Sequence, residues 1–230
     1  MDLKPESRTQ GRYLDFISNV PVPKEDRKFF SASLPVCAAH YFRDNALPHS
    51  YKPIPFLSRY KKEDTADLFF NTTINSSNTV PHLFALVRKD VLVPNHEFFT
   101  KASLRWHEKD FEATNYPHLV VLCHLSSGIN GFPNTAHGGL LASLVDETMS
   151  ICAELFRESA GLTGMNLYTA NLNLSYKAPV VTPGVVVIKA SLIRRIGPKW
   201  FLLALILDCD GKVLVDADAL WIEARKVACL

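Results

Sequence analysis

A single long helical segment among β-type segments is the feature that most constrains how this chain folds. Residues 139–159 place apolar side chains at helical spacing over a wide arc, wider than a helix needs to pack one face on a sheet. The arc holds Leu140, Leu141, Leu144, Val145, Ile151, Cys152, Leu155 and Phe156. Asn134 or Thr135 is the expected cap at its start, and Gly161 and Gly164 are expected to end it. The pattern predicts a helix that the rest of the chain largely encloses.

Segments rich in apolar and β-branched residues surround this helix. They are FFTKASLRW (98–106) and HLVVLCHLS (118–126) before it, and MNLYTANLNLSYKAPV (165–180), GVVVIKASLIRRI (184–196), WFLLALILDCD (200–210) and KVLVDADALWIEA (212–224) after it. The dipeptides Gly197-Pro198 and Asp210-Gly211 are typical of tight turns between neighbouring strands. We predict an α+β protein in which one antiparallel sheet wraps around one long central helix, which is the hotdog fold.

Alternation of side chains is clearest in YTANLNLSYKA (168–178). It predicts one strand face that carries Tyr168, Ala170, Leu172, Leu174 and Tyr176, and an opposite face that carries Thr169, Asn171, Asn173, Ser175 and Lys177. Thr169 is thus predicted to point away from the face of Leu172.

The region before residue 98 is different in composition. Prolines recur at positions 21, 23, 35, 48, 53, 55 and 81, and the hydrophobic periodicity is weak. We predict an irregular N-terminal extension over residues 1–97, with short helices around KKEDTADLFF (61–70) and PHLFALVRKD (81–90), followed by the hotdog domain over residues 98–230. The apolar pieces of the extension are too short for a second core, so we expect it to pack on the sheet as a brace or to cover a tunnel mouth as a lid.

Composition argues against several classes of function. The chain has 25 basic and 23 acidic residues without a large basic cluster, so no nucleic-acid partner is expected. No apolar run approaches the roughly 20 residues that span a bilayer, and no signal peptide is recognisable, which predicts a cytoplasmic protein. The cysteines are scattered without CxxC spacing, so we expect reduced thiols and no zinc site. They are Cys37, Cys123, Cys152, Cys209 and Cys229. No metal or other cofactor is expected.

Two adjacent carboxylates, Asp146 and Glu147, lie inside the predicted helix. Glu147 falls on a narrow polar stripe, where we expect it to be solvated. The other members of that stripe are Ser143, Glu154 and Glu158. Asp146 projects to the edge of the apolar arc, among small residues that leave space beside it. These are Ala142, Ser150 and Ala153. Because burying a carboxylate costs free energy unless it is satisfied, Asp146 is either a structural group bonded to a neighbouring strand or subunit, or a functional one.

The loop before the helix favours a functional role for Asp146. The sequence SSGINGFPNTAHGG (126–139) is rich in glycine, which permits close approach of backbone to a ligand. At the helix start, free N–H groups of Gly138, Gly139 and Leu140 would form a site for an oxyanion. Such donors could polarise a carbonyl while the carboxylate about two turns away attacks it or activates water. His137 either takes part in this chemistry or stabilises the turn, and the second role is favoured.

The stretch AHGGLLASLVDETM (136–149) resembles the HGG-x6-D signature of hotdog-fold acyl thioesterases of the phenylacetate-pathway type. The segments TANLNLSYKAPV (169–180) and GPKWFLLALILDCDGKVLVDADALWIEA (197–224) are similar to strands of the mammalian acyl-CoA thioesterases that carry a long N-terminal extension. The resemblance spans roughly residues 98–224 and leaves the extension unexplained.

The resemblance implies roles for individual residues. Asp146 would be the nucleophile or general base of thioester hydrolysis, and the amide of Gly138 would polarise the thioester carbonyl. Thr169 matches a Ser or Thr that helps to position water and reaches the site from the partner subunit. The chain departs from the family pattern before the histidine, so that Asn130 or Asn134 takes the orienting role. With Gly139 and Ser150, these asparagines complete the candidate substrate-binding residues.

The implied substrate is the thioester of an acyl group with coenzyme A or an acyl carrier protein, and the implied assembly is a homodimer or a dimer of dimers. A basic group is a candidate for binding the phosphates of the carrier, with solubilising surface charge as the alternative. It consists of Lys177, Arg194, Arg195 and Lys199. Three other functions remain open. The first is release of a polyketide as a lactone by intramolecular acyl transfer, and the second is non-catalytic binding of acyl-CoA. The third is dehydratase activity, which a weaker likeness to the histidine loops of dehydratases suggests.

Overall fold

A computed structural model describes residues 12–42, 50–62, 65–93, 115–162 and 164–224. The α-helices in these ranges are α1 (Arg12–Asn19), α2 (Lys24–Ala32) and α3 (Gly138–Ser159). The strands are β1 (Tyr51–Ile54), β2 (Leu83–Arg88), β3 (Leu119–Leu125), β4 (Asn130–Phe132), β5 (Thr135–Ala136), β6 (Asn166–Tyr176), β7 (Gly184–Ile196), β8 (Lys199–Leu207) and β9 (Val213–Ala224). Short 3₁₀ segments include Val36–Phe42 and Leu57–Arg59.

Seven of the strands form one antiparallel sheet in the order β1-β2-β3-β7-β8-β9-β6, and β4 and β5 form a small separate hairpin. The helix α3 packs on one face of the sheet against β3, β6, β7 and β8. The predicted hotdog fold is confirmed. Each predicted strand between residues 118 and 224 is present, whereas the strand predicted over 98–106 lies outside the described residues.

The central helix is enclosed as its wide apolar arc predicted. Side chains such as Leu144, Val145 and Met149 are almost fully buried between α3 and the sheet. The helix begins one residue earlier than predicted, and its N-cap is His137, not Asn134 or Thr135. It ends before Gly161, whose φ of +68° lies in the left-handed region that glycine adopts without strain.

The extension contributes two strands that the sequence did not predict. The segment read as a short helix around 81–90 contains β2, which pairs with β3 in the middle of the sheet, and β1 pairs with β2 at the edge. The helical prediction was wrong because a short, continuous apolar run does not distinguish a helix from a strand buried on both faces.

Both faces of β2 and β3 are covered. Alternate residues of these strands face α3, and the others face a second apolar cluster on the far side of the sheet. The extension supplies much of that cluster, including Val22, Phe30, Ala38 and Tyr41. The expectation that its apolar pieces could form no second core was therefore wrong: they form one together with the outer face of the sheet.

Candidate active site

Asp146 lies beside the edge strand β6. Its Oδ1 accepts a hydrogen bond of 2.9 Å from the hydroxyl of Thr169. A β-bulge makes this contact possible, because Thr169 pairs with Trp221 and Asn171 pairs with Leu220, which leaves Ala170 as an extra residue. The bulge turns Thr169 onto the face that packs on α3, so the prediction that it points away from that face was wrong.

The contact between Asp146 and Thr169 is made within one chain. The resemblance implied that Thr169 reaches the site from a partner subunit. The bulged strand that follows α3 returns along the helix of its own chain, which accounts for this contact, and the reach of Thr169 to a partner subunit stays a prediction. The threonine pairing by itself therefore gives no reason for a dimer.

Asp146 is half-buried and has no cation within ion-pair distance among the residues that the structure describes. Burial raises the pKa of its carboxyl group above the usual value near 3.8, and the hydrogen bond from Thr169 opposes this shift. Arg157, the basic residue nearest along the helix, pairs with Glu154 at 2.6 Å and donates to the carbonyl of Leu162 at 2.8 Å. Asp146 thus keeps one carboxylate oxygen available for chemistry.

In the first turn of α3, one amide lacks an acceptor among the described residues. The imidazole Nδ1 of His137 accepts from the N–H of Gly139 at 2.9 Å, and the carbonyl of His137 accepts from Leu140 at 3.0 Å. The expectation of free N–H groups at Gly139 and Leu140 was therefore wrong. The N–H of Gly138 has no acceptor among the described residues, and it remains the candidate oxyanion donor.

His137 is an exposed N-cap. Because its Nδ1 is the acceptor of the Gly139 amide, the neutral ring carries its proton on Nε2, and Nδ1 is not available as a base. No described carboxylate bonds to the ring, in contrast to the histidine–acid pair that a dehydratase would need. This geometry agrees with the favoured role of His137 in the turn.

Tyr176 is a site residue that the sequence reading missed. Its hydroxyl donates to the carbonyl of Gly138 at 2.8 Å, and a Cβ on Gly138 would lie 3.3 Å from the tyrosine ring. The strand β6 therefore holds α3 at two points, through Tyr176 at the helix start and through Thr169 at Asp146. The alternation pattern did place Tyr176 on the same face as Leu172 and Leu174, which pack against α3.

The four candidate substrate-binding residues lie in different settings. Asn130 is half-buried in β4, where its side-chain carbonyl accepts from the hydroxyl of Thr182 and its backbone pairs with Ala136. Asn134 is exposed in the turn after β4, where its backbone adopts the left-handed conformation of the turn with a φ of +53°. Gly139 is exposed beside the ring of His137, and Ser150 is partly buried one turn beyond Asp146.

The neighbouring Glu147 is partly buried, and the extension holds its carboxylate. Its carboxylate accepts a hydrogen bond from Ser58, a fully buried residue of the extension. Burial raises the pKa of Glu147, while the Ser58 hydroxyl and the charge of Lys62 oppose the shift. The prediction that Glu147 is solvated was wrong because helical spacing shows which residues share a side of a helix but not what covers that side.

Glu158 anchors the start of α1. Its carboxylate accepts hydrogen bonds of 2.9–3.0 Å from the backbone N–H groups of Tyr13 and Leu14. These are amides of the first turn of α1, which have no partner inside their own helix. Glu158 is only 9% exposed, so the extension covers this end of the central helix as well.

The basic group is largely committed to intramolecular contacts. Lys177 pairs with Asp216 at 3.0 Å, Arg195 pairs with Glu223 at 2.8 Å, and the guanidinium of Arg194 lies 4.4 Å from the ring centroid of Phe201. Cavities of about 290 and 240 Å³ lie on the outer face of β7, β8 and β9, on the far side of the sheet from Asp146. No cluster of His, Cys, Asp and Glu that could hold a metal occurs within the described ranges.

Residues 133–197 match the family model described as the thioesterase superfamily. This segment is thus similar to the thioesterase superfamily. The predicted resemblance is thereby confirmed. The chain is 35% identical over 106 residues to acyl-coenzyme A thioesterase THEM4 of Rattus norvegicus, which covers 45% of this chain and 43% of that protein. It is also 35% identical over 101 residues to the uncharacterized mitochondrial membrane protein FMP10 of Saccharomyces cerevisiae, which covers 44% of this chain and 40% of that protein.

The chain thus spans about two fifths of the length of these curated relatives. Among solved structures, the PaaI protein of Escherichia coli aligns with a TM-score of 0.41 and 13% identity, over 46% of this chain and 72% of that chain. A hypothetical thioesterase protein of Streptococcus pneumoniae aligns with a TM-score of 0.42 and 17% identity, over 47% of this chain and 82% of that chain. No helix within the described ranges is long and apolar enough to cross a membrane.

Proposed function

We propose that the protein hydrolyses acyl-CoA thioesters and that Asp146 is its catalytic carboxylate. The observation that carries this proposal is the setting of Asp146: half-buried, hydrogen-bonded by Thr169, and without a cation among the described residues. A carboxylate in such a setting keeps a raised pKa and an available oxygen, as a general base or nucleophile requires. The match to the thioesterase superfamily supports the reaction class, and the name of the THEM4 relative supports coenzyme A as the carrier.

The proposed reaction needs an acceptor of protons and a donor to an oxyanion. Asp146 either attacks the thioester carbon or removes a proton from the water that attacks it. The N–H of Gly138 stabilises the negative charge that develops on the carbonyl oxygen. On the base route, the carbon–sulfur bond then breaks, and the departing thiolate takes up the proton held by Asp146. On the nucleophile route, the break leaves an acyl anhydride on Asp146 and a thiolate that takes a proton from solvent, and water then hydrolyses the anhydride, which releases the acid and restores the carboxylate. Thr169 holds the carboxylate of Asp146 in place through its hydroxyl.

In the proposed site, the carboxylate of Asp146 and the N–H of Gly138 come from different chains. Gly138 and Asp146 are eight residues apart in one helix, which is about 12 Å of axial rise. A donor lies about 3 Å from an oxyanion, and a base lies about 3 Å from the atom it deprotonates, so one carbonyl does not span the gap within one helix. We propose that a second copy of the chain brings its Gly138 next to Asp146. The edge strand β6, whose outer edge pairs with no described strand, is the proposed line of contact.

Complementation between two inactive variants tests this arrangement. Asp146→Asn removes the base, and Gly138→Pro removes the N–H donor at the first helical position, where proline is well tolerated. Gly138→Ala is the matched control, since it keeps the N–H and adds only a methyl group near Tyr176. If each site combines both chains, a mixed dimer contains one intact site, and a statistical mixture recovers about a quarter of the wild-type activity. Failure to recover activity would place both groups in the same chain.

A substrate panel separates the proposed function from the alternatives. Acyl-CoA thioesters, the same acyl groups on carrier protein, and hydroxyacyl thioesters able to close a lactone are each offered to the protein, and the released thiol and acid are measured. Hydrolysis of acyl-CoA is expected. Lactone release without acid would favour acyl transfer to an internal hydroxyl. Binding without cleavage would favour a non-catalytic acyl-CoA-binding protein.

The proposed site implies an assembly of at least two chains, but it implies nothing about the location of the protein. We propose a homodimer or a dimer of dimers, because the site needs a second Gly138. The cytoplasmic location stays a prediction, and the relative FMP10 is named as a mitochondrial membrane protein. Asn130 is the favoured orienting asparagine, since it is half-buried and fixed by Thr182 next to the start of α3.

A further inference from the structure

Two cysteines that are far apart in the sequence meet where the extension packs on the sheet. Cys37 belongs to the 3₁₀ segment Val36–Phe42, and Cys209 lies in the turn between β8 and β9. The backbone N–H of Cys37 donates to the carbonyl of Cys209 at 3.1 Å. Both thiols are free and partly exposed, unlike those of Cys123 and Cys152, which are buried.

The thiol of Cys37 lies against the β8–β9 turn, close enough to the Cys209 thiol for their charges to interact. The Cys37 thiol donates to the carbonyl of Asp208, the residue directly before Cys209, at 3.2 Å. The Cys209 thiol donates to the carbonyl of Val185 at 3.5 Å, and Val185 and Cys37 pack against the same apolar cluster. On the other side of the turn, a Cβ on Gly211 would lie only 3.2 Å from the Cβ of Cys37.

The backbone contact between Cys37 and Cys209 brings the two residues close enough for a disulfide bond. Neither cysteine lies in a paired strand, but one direct backbone hydrogen bond joins them, and residues that exchange such bonds in antiparallel strands have Cα atoms about 5.5 Å apart. Disulfides join residues whose Cα atoms are roughly 4.4–6.8 Å apart. We propose that Cys37 and Cys209 form an intramolecular disulfide when the protein meets a small disulfide oxidant such as glutathione disulfide. The expectation of reduced thiols came from the wide spacing of the cysteines in the sequence, which the fold closes for this pair.

The proposed reaction proceeds by two thiol–disulfide exchanges. One cysteine thiolate attacks a sulfur of glutathione disulfide, which forms a mixed disulfide and releases one glutathione. The second cysteine thiolate then attacks the protein sulfur of that mixed disulfide and releases the other glutathione. The two protein thiols are oxidised, and one glutathione disulfide is reduced to two glutathione thiols. Burial raises the pKa of both Cys37 and Cys209, so the reaction is slow at neutral pH and accelerates as the pH rises.

The bond would fix the extension to the β8–β9 turn. It closes a loop of about 170 residues, and long loops remove much conformational entropy from the unfolded chain. The expected consequence is a higher stability of the oxidised protein. The loop includes β1 and β2, so the bond would also restrain the two strands that the extension adds to the sheet.

The test compares the folded protein before and after incubation with glutathione disulfide. A Cys229→Ser background removes the cysteine that lies outside the described residues. Peptide mapping without reductant is expected to show a linked pair of peptides containing Cys37 and Cys209, with a mass lower by two hydrogen atoms. The midpoint of thermal unfolding is expected to rise by about 5 °C or more on oxidation, and to return after reduction.

Single variants provide the controls. Cys37→Ser and Cys209→Ser should each abolish both the linked peptides and the rise in the midpoint, while each reduced variant unfolds near the reduced parent. Cys123 and Cys152 should stay unmodified in the folded protein because they are buried. Glutathione attached to single cysteines without an internal bond, or a bond to any other cysteine, would overturn the proposal. Because the mapping is done on the folded parent protein, it remains decisive even where a variant folds poorly.

Discussion

Asp146 and Glu147 are neighbours in the same helix, yet their carboxylates lie in opposite kinds of environment. Asp146 lies beside the edge strand β6, whose outer edge pairs with no described strand, and Thr169 of β6 provides its hydrogen bond. Glu147 is covered by the extension and is bonded to the fully buried Ser58. Burial raises the pKa of both groups. A raised pKa therefore does not distinguish a catalytic carboxylate from a structural one, whereas access to the substrate does.

The difference shows what the extension contributes. On one side of α3 it partly covers Glu147, and the start of its helix α1 is held by Glu158 of α3. On the other side β6 leaves the carboxylate of Asp146 within reach of a ligand or of a second chain. Of the two roles predicted for the extension, the brace accounts for the contacts that it makes with α3, and these contacts leave Asp146 open.

Replacement of each carboxylate by its amide is expected to give the largest difference in kcat between the two residues. Asp146→Asn should lower kcat by at least about 100-fold, because an amide cannot accept the proton or attack the carbonyl. Glu147→Gln should leave kcat within a few-fold of wild type. The measurement is the steady-state rate with acyl-CoA substrates, and a large loss with Glu147→Gln would reverse the assignment.

Thermal unfolding of the same two variants provides the control. Burial raises the pKa of each group, so the folded state binds a proton more readily than the unfolded state does. The ionised group therefore opposes folding at neutral pH, and this penalty is relieved as the pH falls through the folded pKa. A neutral amide removes the penalty. Neither variant should be strongly destabilised, which excludes unfolding as the cause of lost activity.

Glu158 tests the covered side of the helix. Glu158→Ala removes the acceptor of the amides at Tyr13 and Leu14 and should lower the free energy of unfolding by about 2 kcal/mol. Glu158→Gln keeps one acceptor oxygen and should cost less. Denaturant unfolding measures both, and kcat should be unaffected because Glu158 is far along α3 from Asp146. A loss of kcat without a loss of stability would show that this side of the helix takes part in catalysis.

The fold was predictable where side-chain periodicity was long and clear. The wide arc of α3 and the strands from β6 to β9 are regular enough that their packing follows from pattern. The strand β2 was missed because LFALV is uniformly apolar and has no period to read. Its burial on both faces depends on the second cluster, which residues far away in the sequence complete.

The candidate site was predictable in its residues but not in its contacts. The signature pointed to Asp146 and Gly138, and the apolar arc placed Asp146 correctly at its edge. The pairing with Thr169 could not be read from alternation, because one extra residue at Ala170 reverses the faces of everything before it. Glu147 was misjudged because its cover comes from Ser58, 89 residues away in the sequence.

Thr169 sharpens the assignment of Asp146 through pH. The hydroxyl of Thr169 lowers the pKa of Asp146 against the effect of burial, so Thr169→Val should raise that pKa further. Since the base acts when ionised, kcat/KM rises with pH through this pKa, and the acidic limb of the profile should move to higher pH in the valine variant. Thr169→Ser keeps the hydroxyl and should keep the limb in place. An unchanged limb in Thr169→Val would show that the titrating base is another group.

The smallest expected effects are at His137. Variants of His137 test whether this exposed residue at the start of α3 has a structural role, as Glu147 has, or a chemical role, as we propose for Asp146. The ring of His137 accepts from the Gly139 amide, a role that asparagine fills well at an N-cap. His137→Asn should therefore keep both stability and kcat, whereas His137→Ala should lower the free energy of unfolding by about 1 kcal/mol and reduce kcat only through looser placement of Gly138. Denaturant unfolding and steady-state kinetics on the two variants separate these roles. Because asparagine restores the cap but cannot transfer a proton as imidazole does, a His137→Asn enzyme as slow as Asp146→Asn would make His137 part of the chemistry and not only the cap of the helix.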